Sequence, residues 1–115
     1  AMTNCTISEN TADSSGGGVF VSTSASLTMS SCTVSKNTAT NYAGFYGGGG
    51  VQIADSIATL ILCTISENTA GRYGGGVNIY SNSNSATVTM DLCTITTNTD
   101  TDNGYGSGLY IYGAA

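Results

Sequence analysis

The chain alternates apolar and hydroxyl side chains in four matching passages. In the first, Cys5 and Ile7 alternate with Thr6 and Ser8, and the order returns at Cys32-Thr33-Val34-Ser35, Cys63-Thr64-Ile65-Ser66 and Cys93-Thr94-Ile95-Thr96. A period of two predicts a half-buried strand with cysteine and the β-branched residue inward and Thr/Ser outward. Three residues before each cysteine stands Met2, Met29, Leu60 or Met90, an inward position on a neighbouring strand. Further along each passage a glycine cluster opens another alternating run. Here Val19/Val21, Val51/Ile53, Val77/Ile79 and Leu109/Ile111 alternate with Phe20, Gln52, Asn78 and Tyr110, which the pattern places outward. Each passage therefore predicts two or three short strands, and none shows a helical period.

The cysteines lie 27, 31 and 30 residues apart. A passage of that length cannot bury its apolar side alone, whereas stacked copies bury one continuous core. The expected fold is an all-β parallel solenoid of about four rungs of 27–31 residues, forming one domain over residues 1–115. Rungs stacked at about 4.8 Å set equivalent residues above one another. Two such columns stand out as structural ladders: Cys5, Cys32, Cys63, Cys93 and Asn10, Asn37, Asn68, Asn98. Asparagine suits a left-handed corner, and stacked amides can bond along the axis. The glycines permit close approach of the next rung. Length varies after the asparagine ("TATNYAGFY" being longest) and after the glycine strand ("YSNSNSAT" being longest), which marks surface loops.

The segment C-T-[IV]-S-x-N-T followed by GGG-V resembles the paired FxxN and GGA(I/L/V) motifs of the polymorphic outer membrane protein repeats. Ile7, Val34, Ile65 and Ile95 stand where that family has phenylalanine. The resemblance covers nearly the whole chain. It implies a right-handed parallel β-helix exposed at a surface, with adhesive or structural duty.

Composition then narrows function. Only 2 basic side chains, Lys36 and Arg72, face 7 acidic ones, for a net charge of −5. Nucleic acid binding rests on counterion release by many cations, so it is not expected. No apolar run approaches the roughly 20 residues of a membrane-spanning helix, so membrane insertion is not expected either. The chain has no histidine and only scattered carboxylates. Glu9 and Glu67 share a column that Lys36 and Thr97 interrupt, and this pattern suits a solvated edge better than the paired carboxylates of glycoside hydrolysis. Asp100 and Asp102 in "NTDTDNG" lack the spacing and terminal glutamate of a calcium loop and suit a polar turn. Neither an enzyme, nor a bound metal, nor a cofactor is expected.

Alternation places the four cysteines inside the core, where they serve as a ladder of free thiols or as the pairs Cys5–Cys32 and Cys63–Cys93. The hydroxyl columns Thr6, Thr33, Thr64, Thr94 and Ser8, Ser35, Ser66, Thr96 form a flat ladder. A ladder of this kind is a candidate face for ice or carbohydrate, and equally an ordinary polar exterior. The 15 Ser and 18 Thr, with scarce lysine, suggest an extracellular or cell-surface polypeptide, and Asn4-Cys5-Thr6 is its one N-glycosylation sequon. Tyrosines in the loops offer lateral contacts or cover the flank. Residues 1–4 already occupy the repeat, and "GLYIYGAA" closes within a loop, so both ends are expected to be uncapped. The step from Ile111 across to Met2 of a following copy takes 6 residues, against 8, 7 and 11 within the chain. The expected role is an extracellular structural or adhesive solenoid whose copies stack head to tail into a filament.

Overall fold

The computed structural model describes residues 1–40, 44, 47–82, 85–102 and 105–113. The middle of the longest insertion, with Tyr42 and Tyr46, and residues 83–84 of the second loop lie outside the described residues. Among the described residues, sixteen short strands form four coils. The first holds β1 (Met2–Thr3), β2 (Thr6–Ser8), β3 (Thr11–Ala12) and β4 (Val19–Ser22). The second holds β5 (Ser26–Ser30), β6 (Thr33–Ser35), β7 (Thr38–Ala39) and β8 (Val51–Ala54). The third holds β9 (Ile57–Ile61), β10 (Thr64–Ser66), β11 (Thr69–Ala70) and β12 (Val77–Ser81). The fourth holds β13 (Thr87–Asp91), β14 (Thr94–Thr96), β15 (Thr99–Asp100) and β16 (Leu109–Gly113).

Each coil contributes one strand to each of four parallel sheets, ordered β1-β5-β9-β13, β2-β6-β10-β14, β3-β7-β11-β15 and β4-β8-β12-β16. The register matches the sequence columns: Met29 pairs with Met2 and Leu60, Val34 with Ile7 and Ile65, and Val51 with Val19 and Val77. The coil thus has four strands where alternation predicted two or three. The Thr-Ala strands β3, β7, β11 and β15 have two residues each, too few to show a period.

The core runs along the axis. Met29, Val34, Val51, Ile53, Leu60, Ile65 and Val77 are fully buried, because a coil lies above and below each of them. Each such side chain contributes about 1.5–3 kcal/mol of apolar burial.

Three corners turn through left-handed residues in every coil, and here the expected role of asparagine is corrected. The positive-φ columns are Glu9, Lys36, Glu67 and Thr97, each just before the asparagine, and Asn4, Ser31, Leu62 and Leu92, each just before the cysteine, while Thr23, Ser24, Asp55 and Tyr73 are left-handed outside these columns. The third corner uses Gly16, Gly48, Gly74 and Gly106. The ladder asparagines bind to the adjacent coil instead of turning the chain. Gln52 and Asn78 also differ from expectation. They point away from the axis, as alternation requires, yet both are fully buried. The chain entering the glycine corner folds back over them, and Gly47 N–H donates to Gln52 Oε1 at 2.8 Å. Asn78 Nδ2 donates to the same oxygen at 2.8 Å, so the covered face carries a polar pair.

Candidate functional site

Asparagine closes the ladder because its side chain carries a donor and an acceptor at the right reach for a neighbouring strand. Asn37 Oδ1 accepts Asn10 N and Nδ2, both at 3.0 Å. Asn68 Oδ1 accepts Asn37 N and Nδ2 at 2.9 and 3.1 Å, and Asn98 Oδ1 accepts Asn68 N and Nδ2 at 2.9 and 3.0 Å. In the other direction, Nδ2 of Asn37, Asn68 and Asn98 donates to Ile7 O, Val34 O and Ile65 O of the preceding coil at 2.9–3.0 Å. The bonds between asparagines all run the same way, from each coil to the next, which gives the ladder unlike ends. At the first coil Asn10 Oδ1 accepts nothing among the described residues, and Asn10 Nδ2 turns to Ser8 O of its own coil. At the fourth coil the Asn98 backbone N–H has no partner among the described residues.

The cysteines form a parallel ladder of free thiols rather than pairs. Cys32, Cys63 and Cys93 each place Sγ near a carbonyl of the preceding coil, Met2 O, Met29 O and Leu60 O, at 3.6, 3.5 and 3.3 Å. Among the described residues, Cys5 Sγ has only Thr3 O of its own coil, at 3.3 Å. Cys32 and Cys63 are buried, whereas Cys5 and Cys93 are half-buried. Burial pushes the Cys63 thiol above its ordinary range, and the neighbouring Cys93 and Cys32 add to the effect.

The fourth coil exposes residues that are core elsewhere. Leu109 is 38% exposed where Val51 and Val77 are at 0%, and Ile111 is 65% exposed where Ile53 is at 0%. Two residues of this coil bear on what could lie above it. A Cβ on Gly18, Gly50 or Gly76 would stand within 2.9 Å of a carbonyl and an asparagine amide of the next coil, so glycine is required there. A Cβ on Gly108 would meet only Ile95 Cγ2, at 3.4 Å. Gly108 therefore keeps the column's residue without a reason within the chain. Ser107 does the reverse, since its column holds Gly17, Gly49 and Gly75, where a Cβ would lie 2.3–2.4 Å from a carbonyl oxygen.

The hydroxyl ladder is in register across the second sheet: Thr6, Thr33, Thr64, Thr94 in one column and Ser8, Ser35, Ser66, Thr96 in the other. All eight are exposed or half-buried. Across the corner runs a further column, Thr11, Thr38, Thr69 and Thr99, which alternation alone does not single out. Its signal is the Thr that follows every ladder asparagine. The charged Glu9, Lys36 and Glu67 project between these columns from left-handed positions. Asn4 is exposed on its corner beside exposed Thr6, so the sequon is accessible.

A tyrosine cluster covers the glycine corner of the last two coils. Tyr73 packs on Tyr105 and Tyr110 at ring separations of 4.6 and 4.8 Å, and the Arg72 guanidinium lies 4.7 Å above Tyr73 and 5.1 Å above Tyr105. Arg72 Nε is 2.9 Å from Asp102 Oδ2. Tyr73 is buried, so its phenol is pushed above the usual range, with the nearby guanidinium opposing the shift. Asp100 closes the loop: Oδ1 accepts Asp102 N and Oδ2 accepts Tyr105 N, both at 3.0 Å. This is a polar turn with both carboxylate oxygens used by backbone donors. Among the described residues no group of three acidic, cysteine or histidine side chains converges as metal ligands. Nor is any helix among them long and apolar enough to cross a membrane.

No curated protein and no solved structure shows significant similarity to the chain. The family model described as "Right handed beta helix region" matches residues 1–115. With the stacked parallel sheets and coil-to-coil ladders already described, this match shows that the chain belongs to the right-handed β-helix family.

Proposed function

We propose that the protein is a non-enzymatic structural β-helix of an extracellular or cell-surface assembly, in which copies stack head to tail. The carrying observation is the complementarity of the asparagine ladder's ends. Asn98 offers a backbone donor where Asn10 offers an open side-chain acceptor, at equivalent positions on successive coils. A second copy set on the fourth coil in the internal register places Ile7 over Ile95, Val21 over Ile111 and Gly18 over Gly108. Asn98 N and Nδ2 then donate to Asn10 Oδ1 of the second copy, whose Nδ2 turns from Ser8 O to Ile95 O. The junction buries exposed Ile111, completes the strand edges, and supplies the crowding that Gly108 lacks within one chain. Glu9 meets Thr97, so the charged column brings no like charges together. Such a contact is heterologous and open, the kind that propagates into fibres.

Ser107 opposes this register, because its Cβ falls where a carbonyl of the next coil would stand. The junction opens locally at that corner, and stacking is held by the other three sheets. The resemblance to polymorphic outer membrane protein repeats supports surface display, and the exposed Asn4 sequon supports glycosylation.

Negative-stain microscopy of the concentrated protein tests the reading. Each copy adds four coils, about 19 Å of length at about 4.8 Å per coil. Filaments are expected from the native chain, and short particles from Ile111→Lys, whose charge would be buried at the junction. Isolated particles from both proteins would overturn the proposal.

A further inference from the structure

The cysteine ladder is oxidant-accessible only at its ends. Cys32 and Cys63 are 1% exposed, and each Sγ sits between a carbonyl of its own coil and one of the preceding coil. Cys5 and Cys93 lie half-buried in the first and last coils, where a dissolved disulfide can reach them. The column is in strict register, since Thr33 N, Thr64 N and Thr94 N each donate to the carbonyl of the cysteine one coil back at 2.9 Å. Neighbouring members of such a column have α-carbons about 4.8 Å apart, within the roughly 4.4–6.8 Å that disulfides span.

We propose that Cys93 of one copy and Cys5 of the next form an intermolecular disulfide that seals the stacking junction, an inference that rests on the head-to-tail reading. The co-reactant is a small dissolved disulfide such as oxidised glutathione. The Cys93 thiolate attacks one of its sulfurs, an S–S bond breaks, and one small thiol leaves. The Cys5 thiolate of the incoming copy then attacks Cys93 Sγ of the mixed disulfide, forming Cys93–Cys5 and releasing the second small thiol. The two cysteine protons end on the two released thiols, and the small disulfide is reduced by two electrons. The competitor for the mixed disulfide is Cys63, one coil back in the same column, and its burial disfavours the thiolate that attack requires.

The test is to incubate the folded protein, mixed from isotopically heavy and light preparations, with oxidised glutathione. Products are read by non-reducing electrophoresis and peptide mass spectrometry, with microscopy of the same sample. A series of covalent oligomers is expected, joined by a peptide linking Cys5 to Cys93 and carrying one heavy and one light half. Cys5→Ser and Cys93→Ser should each lower the oligomer yield at least tenfold, while Cys32→Ser leaves it unchanged. Mapping in the unsubstituted protein keeps the test independent of whether the variants fold. Filaments whose chains run as monomers, or carry only the internal pairs Cys5–Cys32 or Cys63–Cys93, overturn the seal and leave stacking intact. Covalent oligomers absent from a sample that also lacks filaments overturn both.

Discussion

Asn68 Oδ1 accepts two hydrogen bonds from Asn37, one from its backbone N–H at 2.9 Å and one from its amide at 3.1 Å. Both residues are fully buried, so each coil is tied to the next by a polar rod inside an otherwise apolar wall. Removing one member strands several partners at once. Asn68→Ala leaves the Asn37 N–H, the Val34 carbonyl and the Asn98 carbonyl oxygen Oδ1 short of partners, and buried groups in that condition cost about 1–3 kcal/mol each. A loss of about 3 kcal/mol is expected in urea unfolding. Asn68→Asp should be worse at neutral pH, because a buried carboxylate faces the Val34 carbonyl, and should recover part of the loss in acid.

Two of the corner residues are poorly suited to their backbone. Leu62 and Leu92 hold φ of 54° and 51° while largely exposed, in a column that elsewhere uses Asn4 and Ser31. A bulky residue in the left-handed region costs about 1–2 kcal/mol relative to one that tolerates it. Leu62→Asn should therefore raise the thermal midpoint, against the usual direction of a leucine substitution.

Thiol chemistry should separate the cysteines into two classes. In dispersed, reduced chains Cys5 and Cys93 are expected to react rapidly with a chromogenic disulfide reagent. Cys32 and Cys63 should react only on unfolding, because both are 1% exposed. Four equally fast thiols would contradict the buried ladder.

Stability should fall on the alkaline side. The Cys63 thiol and the Tyr73 phenol both titrate higher in the fold than in the unfolded chain, chiefly because burial disfavours their charged forms. For acids with raised folded values the neutral form is favoured in the fold. Their contribution is thus fully present below the unfolded values and lost as pH rises through the thiol and then the phenol range. Thermal midpoints should be level from pH 6 to 8 and decline above about pH 8.5.

The hydroxyl ladder makes a separate prediction. Its second column holds Ser8, Ser35 and Ser66, which lack the methyl group of Thr96, and the charged Glu9, Lys36 and Glu67 stand at its edge. Ice grown in the protein solution should keep its ordinary disc habit, and faceted crystals would reassign that face to ice binding.

The coils and their register were legible in the sequence because inward residues recur with a fixed spacing and with little change of type. The asparagine column was legible as a ladder, but its role was not. Alternation says nothing about backbone φ, so the corner fell to Asn10 and its equivalents when Glu9 and its equivalents make the turn. The burial of Gln52 and Asn78 was invisible for a different reason, since it depends on chain folding back over an outward face. Of the stacking surface, the sequence showed the repeating columns. The one-way direction of the bonds between asparagines and the opposite messages of Gly108 and Ser107 needed three dimensions.

Ser107 also gives the stacking account its sharpest handle, because Ser107→Gly removes a side chain that opposes the internal register. Sedimentation velocity of the native chain and of this variant, across a concentration series under reducing conditions, tests the central claim most directly. The account predicts species well above the 11.5 kDa of one chain, growing with concentration and shifted to at least tenfold lower concentration by Ser107→Gly. A single 11.5 kDa species at every concentration for both proteins would contradict it.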